Sequence, residues 1–166
     1  MLIYHPAYDA YHCLFRLIKI IQISNKIEIS KLRILDFYLV YPAEVAKISL
    51  PRDQVEIKKI AAKLKNTYHG PVNTFQAFRD MQHLQYAAIS TLAASNILDG
   101  EKLSSGIIER TNTPLPDFFN YPEQMATSEE NMIHIFILKT LSEMPLNGTN
   151  GLKQRTGLME YRYDNA

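Results

Sequence analysis

The first 69 residues contain no glycine; all six glycines, Gly70, Gly100, Gly106, Gly148, Gly151 and Gly157, come later. A stretch that long without glycine has few ways to turn sharply. Its punctuation falls to Pro6, Pro42, Pro51 and Pro71, so this part turns on prolines, with the segments between them as candidate regular elements. Their hydrophobic spacing makes those elements helices. With 46% hydrophobic and 21% charged residues, the chain is globular rather than disordered. At 166 residues it amounts to one ordinary domain, residues 1–166, with a compact helical part over about 8–144.

The first helix is expected from about Asp9 to Ile23, with Asp9 as its N-cap. His12, Arg16, Lys19 and Gln22 trace one narrow polar stripe, and the rest is apolar. A helix with so thin a wet face packs on two sides or partly against another chain. A second helical segment runs from Ile27 to Tyr41, with Ser30 as a possible cap and Pro42 as its stop. Leu32, Leu35 and Leu39 recur at helical spacing, and Arg33 and Asp36 read as a local surface pair one turn apart. Arg52 to Asn66 reads as an amphipathic helix whose outer face carries Lys58, Lys59, Lys63 and Lys65. Tyr68 to Pro71 reads as a loop. Asn73 or Thr74 then opens a helical region reaching about Asn96, as one long helix or two short ones.

Beyond it, Asp99-Gly100 is a turn signal, and Gly106-Ile107-Ile108-Glu109-Arg110-Thr111 favours a strand. The whole reads as mainly α with a small β element, an α+β fold. It is winged-helix-like, with a wing-like strand at about 101–111 in a short β-hairpin or paired with a C-terminal strand. That second strand falls in the tail, residues 151–166, where Met159, Tyr161 and Tyr163 alternate as on one strand face, and it could instead add to a sheet in another protein. Between Asp99 and Glu130 seven residues are acidic (Asp99, Glu101, Glu109, Asp117, Glu123, Glu129, Glu130) and two basic (Lys102, Arg110). This acidic part would face the basic Arg52–Asn66 helix of the same molecule, or a partner. Thr127 and Glu130 form a capping box ahead of a strongly apolar last helix, which Pro145 and Gly148 end.

Little in the sequence carries chemistry. A net charge of +1 excludes a polyelectrolyte grip on nucleic acid, although Lys58, Lys59, Lys63 and Lys65 could meet DNA or an acidic partner. The lone Cys13 sits among apolar neighbours, as an inert thiol does, and fits a reducing cytoplasm. The five histidines form neither HExxH nor a Cys/His cluster, so no metal is expected. Phosphate-cradling glycine loops and a nucleophile elbow are lacking. Glu56-Ile57-Lys58 and Asp99-Gly100-Glu101-Lys102 lack the upstream acid of a nuclease, and Asp117 with Glu123 lacks a partner base. No catalytic residue, cofactor or small-molecule substrate is expected. Residues 1–10 lack a basic leader, and the uncharged run between Asp80 and Asp99 is too polar to span a membrane.

The N-terminal texture is more specific than its periodicity. Tyr4-His5-Pro6-Ala7-Tyr8-Asp9-Ala10-Tyr11-His12-Cys13-Leu14-Phe15-Arg16 is followed by Ile27-Glu28-Ile29-Ser30-Lys31-Leu32-Arg33-Ile34-Leu35-Asp36-Phe37-Tyr38-Leu39-Val40-Tyr41-Pro42. Over about its first quarter the chain resembles the small middle components of ABC-three-component systems, the prokaryotic conflict operons that include Lamassu-type defence. The resemblance implies an adaptor that is not itself the enzyme. It implies an SMC-like ABC ATPase and a nuclease-type effector as partners, with DNA reached indirectly. It also implies that the effector is held inactive until foreign DNA is sensed. The family supplies no individual functional residues. On physical grounds the docking anchors are Tyr8, Tyr11, Phe15, Arg16 and Arg33, with Tyr161 and Tyr163 on the terminal strand. The competing expectations are a winged-helix DNA-binding transcriptional regulator and, behind it, a small enzyme with an unrecognised site.

Overall fold

A computed structural model of the chain describes residues 5–66, 69–120 and 127–163. Tyr4, Tyr68, Tyr121 and Glu123 lie outside these residues. Helix α1, Ala10–Ile23, starts where Asp9 caps it, its carboxylate accepting from the His12 N–H at 2.9 Å. Strand β1, Lys26–Glu28, leads into α2, Ile29–Val40, and Pro42 opens a 3-10 stretch, Pro42–Lys47. A second 3-10 turn, Arg52–Gln54, precedes α3, Val55–Lys63. Asn73 caps α4, Thr74–Ala94, a single helix of 21 residues. Then follow α5, Gly100–Ser104, and β2, Ile107–Glu109. A 3-10 turn, Asp117–Asn120, precedes α6, Ser128–Phe136, which Thr127 caps by accepting from Glu130 N. Helix α6 runs on into a π turn, Ile137–Leu141, and α7, Leu152–Thr156, closes the order.

Helix α2 is the centre. Every residue from Leu32 to Leu39 is buried, because α1, α4 and the π turn pack around it. A helix enclosed on all sides needs no polar face, which is why its apolar positions widen beyond one stripe. The buried apolar residues form one cluster from Ala7 to Leu158. Helix α3 packs on the Pro42–Lys47 stretch and on α6, and Lys63 stands 3.6 Å from Glu129 across that contact. The acidic second half thus does meet the basic helix of the same molecule. Among the described residues, no helix is long and apolar enough to cross a membrane.

The β element is small but differently built from the expected wing. Strands β1 and β2 pair antiparallel, with Lys26 opposite Glu109, Ile27 opposite Ile108 and Glu28 opposite Ile107. They lie some eighty residues apart in sequence and form no hairpin. The Asp99 carboxylate takes the N–H groups of Glu101 and Lys102, so Asp-Gly starts α5 instead of turning a hairpin. Ile27, expected in a helix, pairs in the sheet and is buried, which delays α2 to Ile29; Ser30 does not cap it. Just before β2, Gly106 adopts φ +81°, a conformation suited to glycine, and its carbonyl accepts from Ile29 N at 3.0 Å.

The expected terminal strand is absent from the described tail. Strand β1 holds one edge of β2, and at the C-terminal end of its other edge the Ile97–Asp99 stretch is already bonded, Asp99 N donating to Glu109 O and Thr111 N to Ile97 O. In the tail, Glu160 Oε1 accepts from Tyr161 N and Arg162 N, which withdraws the donors a ladder would use.

Candidate functional site

Four polar side chains from three helices meet inside the molecule. Arg16 on α1, Arg33 and Asp36 on α2, and Gln85 on α4 are all buried, Asp36 and Gln85 completely. Arg16 Nε donates to Asp36 Oδ1 at 2.6 Å, and its Nη1 donates to the Pro6 carbonyl at 3.1 Å. Gln85 Nε2 donates to Asp36 Oδ2 at 2.8 Å and to the Arg33 carbonyl at 3.3 Å. Gln85 Oε1 accepts from Arg33 Nε at 3.0 Å. The local Arg33–Asp36 surface pair therefore does not exist. One helical turn apart, the two side chains turn inward and take different partners.

The two arginines differ in their electrostatics. Burial works against the Arg16 charge, and Asp36 outweighs it, so the pKa of Arg16 is raised. Burial lowers that of Arg33. Arg33 bonds two neutral amides, Gln85 and Gln82, the latter with Oε1 at 3.3 Å from Nη2, and a hydrogen bond with the Tyr86 side chain favours its charge. Its guanidinium carbon lies 4.7 Å from the Phe78 ring centre and 5.6 Å from that of Tyr86. Among the described residues no carboxylate stands within salt-bridge distance of it. Two arginines and one aspartate thus lie in the cluster, Asp36 pairs with Arg16, and the cluster keeps one net positive charge.

The other candidate anchors divide by exposure. Tyr8 and Tyr11 are more than half exposed. Tyr11 stacks on half-buried Phe15, ring centres 4.7 Å apart, and Phe15 meets Phe119 at 4.9 Å and Phe118 at 6.3 Å. The 3-10 turn thereby extends the outer face of α1 into an aromatic patch of Tyr11, Phe15, Phe118 and Phe119. The sequence named the first two; Phe118 and Phe119 were visible only as aromatics in a proline-broken stretch. Tyr161 is half-buried and Tyr163 is 80% exposed. Arg16 and Arg33 belong to the buried cluster, so neither is an open surface anchor.

The lysines on and just after α3 are partly spoken for. Lys59 pairs with Glu56 at 2.7 Å and Lys63 with Glu129; Lys58 is half-buried, and exposed Lys65 stands at the rim of an open cleft of about 510 Å³. That cleft lies between Tyr41–Glu44 and His69–Val72. In its wall Glu44 is satisfied within the chain, accepting from Thr74 Oγ1 at 2.6 Å and from Lys47 at 2.8 Å. Cys13 is fully buried, and burial, with Asp36 nearby, pushes its thiol up to about 12. Among the described residues no group of three or more His, Cys, Asp or Glu side chains is placed to hold a metal ion.

Comparison with known families matches the chain to the ABC-three component (ABC-3C) system Middle Component 5 over residues 2–164. No curated protein and no solved structure matches.

Proposed function

We propose that this chain, which belongs to the Middle Component 5 family of ABC-three component systems, is a non-catalytic adaptor that bridges an SMC-like ABC ATPase and a nuclease-type effector. In that role it sits in a cytoplasmic antiphage or antiplasmid complex of the Lamassu kind. It keeps the effector inactive until foreign DNA engages the complex. The observation that carries this reading is the family match over nearly the whole chain, far beyond the N-terminal quarter that first suggested it.

The physical chemistry supports the same role. An adaptor offers apolar surface that its own core does not use. Tyr11 and Phe118 do so beside half-buried Phe15 and Phe119. Aromatic anchors ringed by polar residues are the usual energetic centres of protein interfaces. Tyr8, Tyr161 and Tyr163 extend the docking surface, while Arg16 acts from within by holding α1 on α2. DNA is a partner of the complex rather than of this subunit, since two of the four clustered lysines already face glutamates and one is half-buried.

The test is co-expression of the chain with its operon neighbours, capture in high salt, and mass spectrometry of what remains bound. Co-elution of an ABC ATPase and an effector is the expected result. Elution of the chain alone overturns the adaptor reading.

A further inference from the structure

The buried cluster has one feature that its own packing does not explain. Asp36 is fully used: one oxygen takes Arg16 Nε and the other takes Gln85. Arg33 is left as a buried cation with no carboxylate partner among the described residues, held by two amides, a hydrogen bond with the Tyr86 side chain and two aromatic faces. An uncompensated buried charge is costly, and an apolar side chain of similar volume would avoid that cost. The cover over Arg33 is thin. Gln82 is exposed and Tyr86 is 42% exposed, both on α4. The Gln82 contact is long for a hydrogen bond to a cation, at 3.3 Å. A carboxylate in the same place would make a shorter, charge-assisted bond.

We propose that Arg33 receives a carboxylate side chain of another component of the complex at the point where Gln82 and Tyr86 cover it. The inference rests on the adaptor reading and gives it a specific contact. The incoming oxygen displaces the Gln82 amide from Nη2, while Phe78 and Tyr86 keep the guanidinium flat and oriented. A protein carboxylate fits better than a nucleic-acid phosphate. Helix α4, which covers Arg33, bears one arginine or lysine of its own, Arg79, directly followed by Asp80. One guanidinium suits one acid, whereas a phosphate backbone is held by several cations.

Gln82→Glu is the informative variant, because it places a carboxylate of nearly the same shape over Arg33 inside the chain. The isolated variant should melt roughly 2–4 °C above the wild type. It should hold the co-expressed component at least roughly tenfold more weakly, since its own carboxylate occupies the receiving point. Gln82→Ala, which only removes the cover, should hold that component as well as the wild type. A Gln82→Glu chain that binds like the wild type overturns the inference and leaves the adaptor reading intact, as does one that gains no thermal stability. Salt-sensitive binding of a short DNA duplex by the chain alone, abolished by Gln82→Glu, assigns Arg33 to a phosphate instead and also overturns it. A wild-type chain that retains no component overturns the adaptor reading itself, and this contact with it.

Discussion

At the scale of single residues, the centre of the molecule is held by polar groups that must be satisfied together. Asp36 is wholly enclosed and neutralises Arg16. Asp36→Ala leaves that arginine buried without a counter-charge and Gln85 without an acceptor. The expected loss is about 3–5 kcal/mol, read as a fall in the urea midpoint. Asp36→Asn, which keeps the shape and one acceptor oxygen, should lose less. None of this was legible in the sequence, because the partners of Asp36 lie 20 and 49 residues away. Only its helical neighbour Arg33 stood close in sequence, and it was the wrong one. Asp9 shows the opposite case, since its role is local and was legible. Its pKa is lowered, chiefly by the hydrogen bond from the His12 backbone and also by the His12 side chain. A lowered carboxylate stabilises the fold above its unfolded pKa and loses that contribution as pH falls through the folded value. Asp9→Ala should therefore cost about 1 kcal/mol at neutral pH, with the gap from wild type closing below about pH 4. Urea titrations of both proteins across pH 2–7 measure it.

At the scale of elements, what the sequence showed and what it hid divide along the same line. Asp9, Asn73 and Thr127 each bond the backbone three residues on, and α1, α4 and α6 begin beside them. Such starts are fixed by chemistry within one turn. The pairing of β1 with β2 is fixed by burial of Ile27 against Ile108, which no local signal encodes. The tail illustrates why alternation alone misleads: Met159, Tyr161 and Tyr163 have a strand period, but β1 pairs one edge of β2 and the Ile97–Asp99 stretch bonds the end of the other. Instead the tail is anchored by α7. There Gly151 is irreplaceable on steric grounds, since a Cβ would stand 2.5 Å from the Asn147 carbonyl oxygen. Gly151→Ala should cost about 2 kcal/mol by forcing that turn apart. At Gly100, in the first turn of α5, a Cβ meets nothing within 4 Å. Gly100→Ala should be neutral or stabilise by up to about 1 kcal/mol. Thermal denaturation of the two variants side by side checks both.

At the scale of the whole molecule, the fold directs most of its chemistry inward. Arg16 and Asp36 hold α1 on α2, Gln85 ties α4 to both arginines' neighbourhood, and the thiol of Cys13 is sealed. On the proposed adaptor reading there is no catalytic motif to find, and the sequence offers instead aromatic residues in excess of what a small core requires. The structure sorts them: Phe37 and Tyr38 go to the core, while Tyr11 and Phe118 stay outside. Outward aromatics contribute little to stability in the free chain and much once a partner excludes water from them. The double variant Tyr11→Ser, Phe118→Ser should therefore melt within a few degrees of the wild type, since neither side chain leaves a cavity. Captured with its co-expressed components, it should lose one of them, with affinity reduced by roughly thirtyfold or more, the scale of removing an interface anchor. Retention of the other component would show that the bridge has two independent ends. Retention of both at wild-type strength would remove this patch from the docking surface and leave the carboxylate contact at Arg33 to carry the assembly.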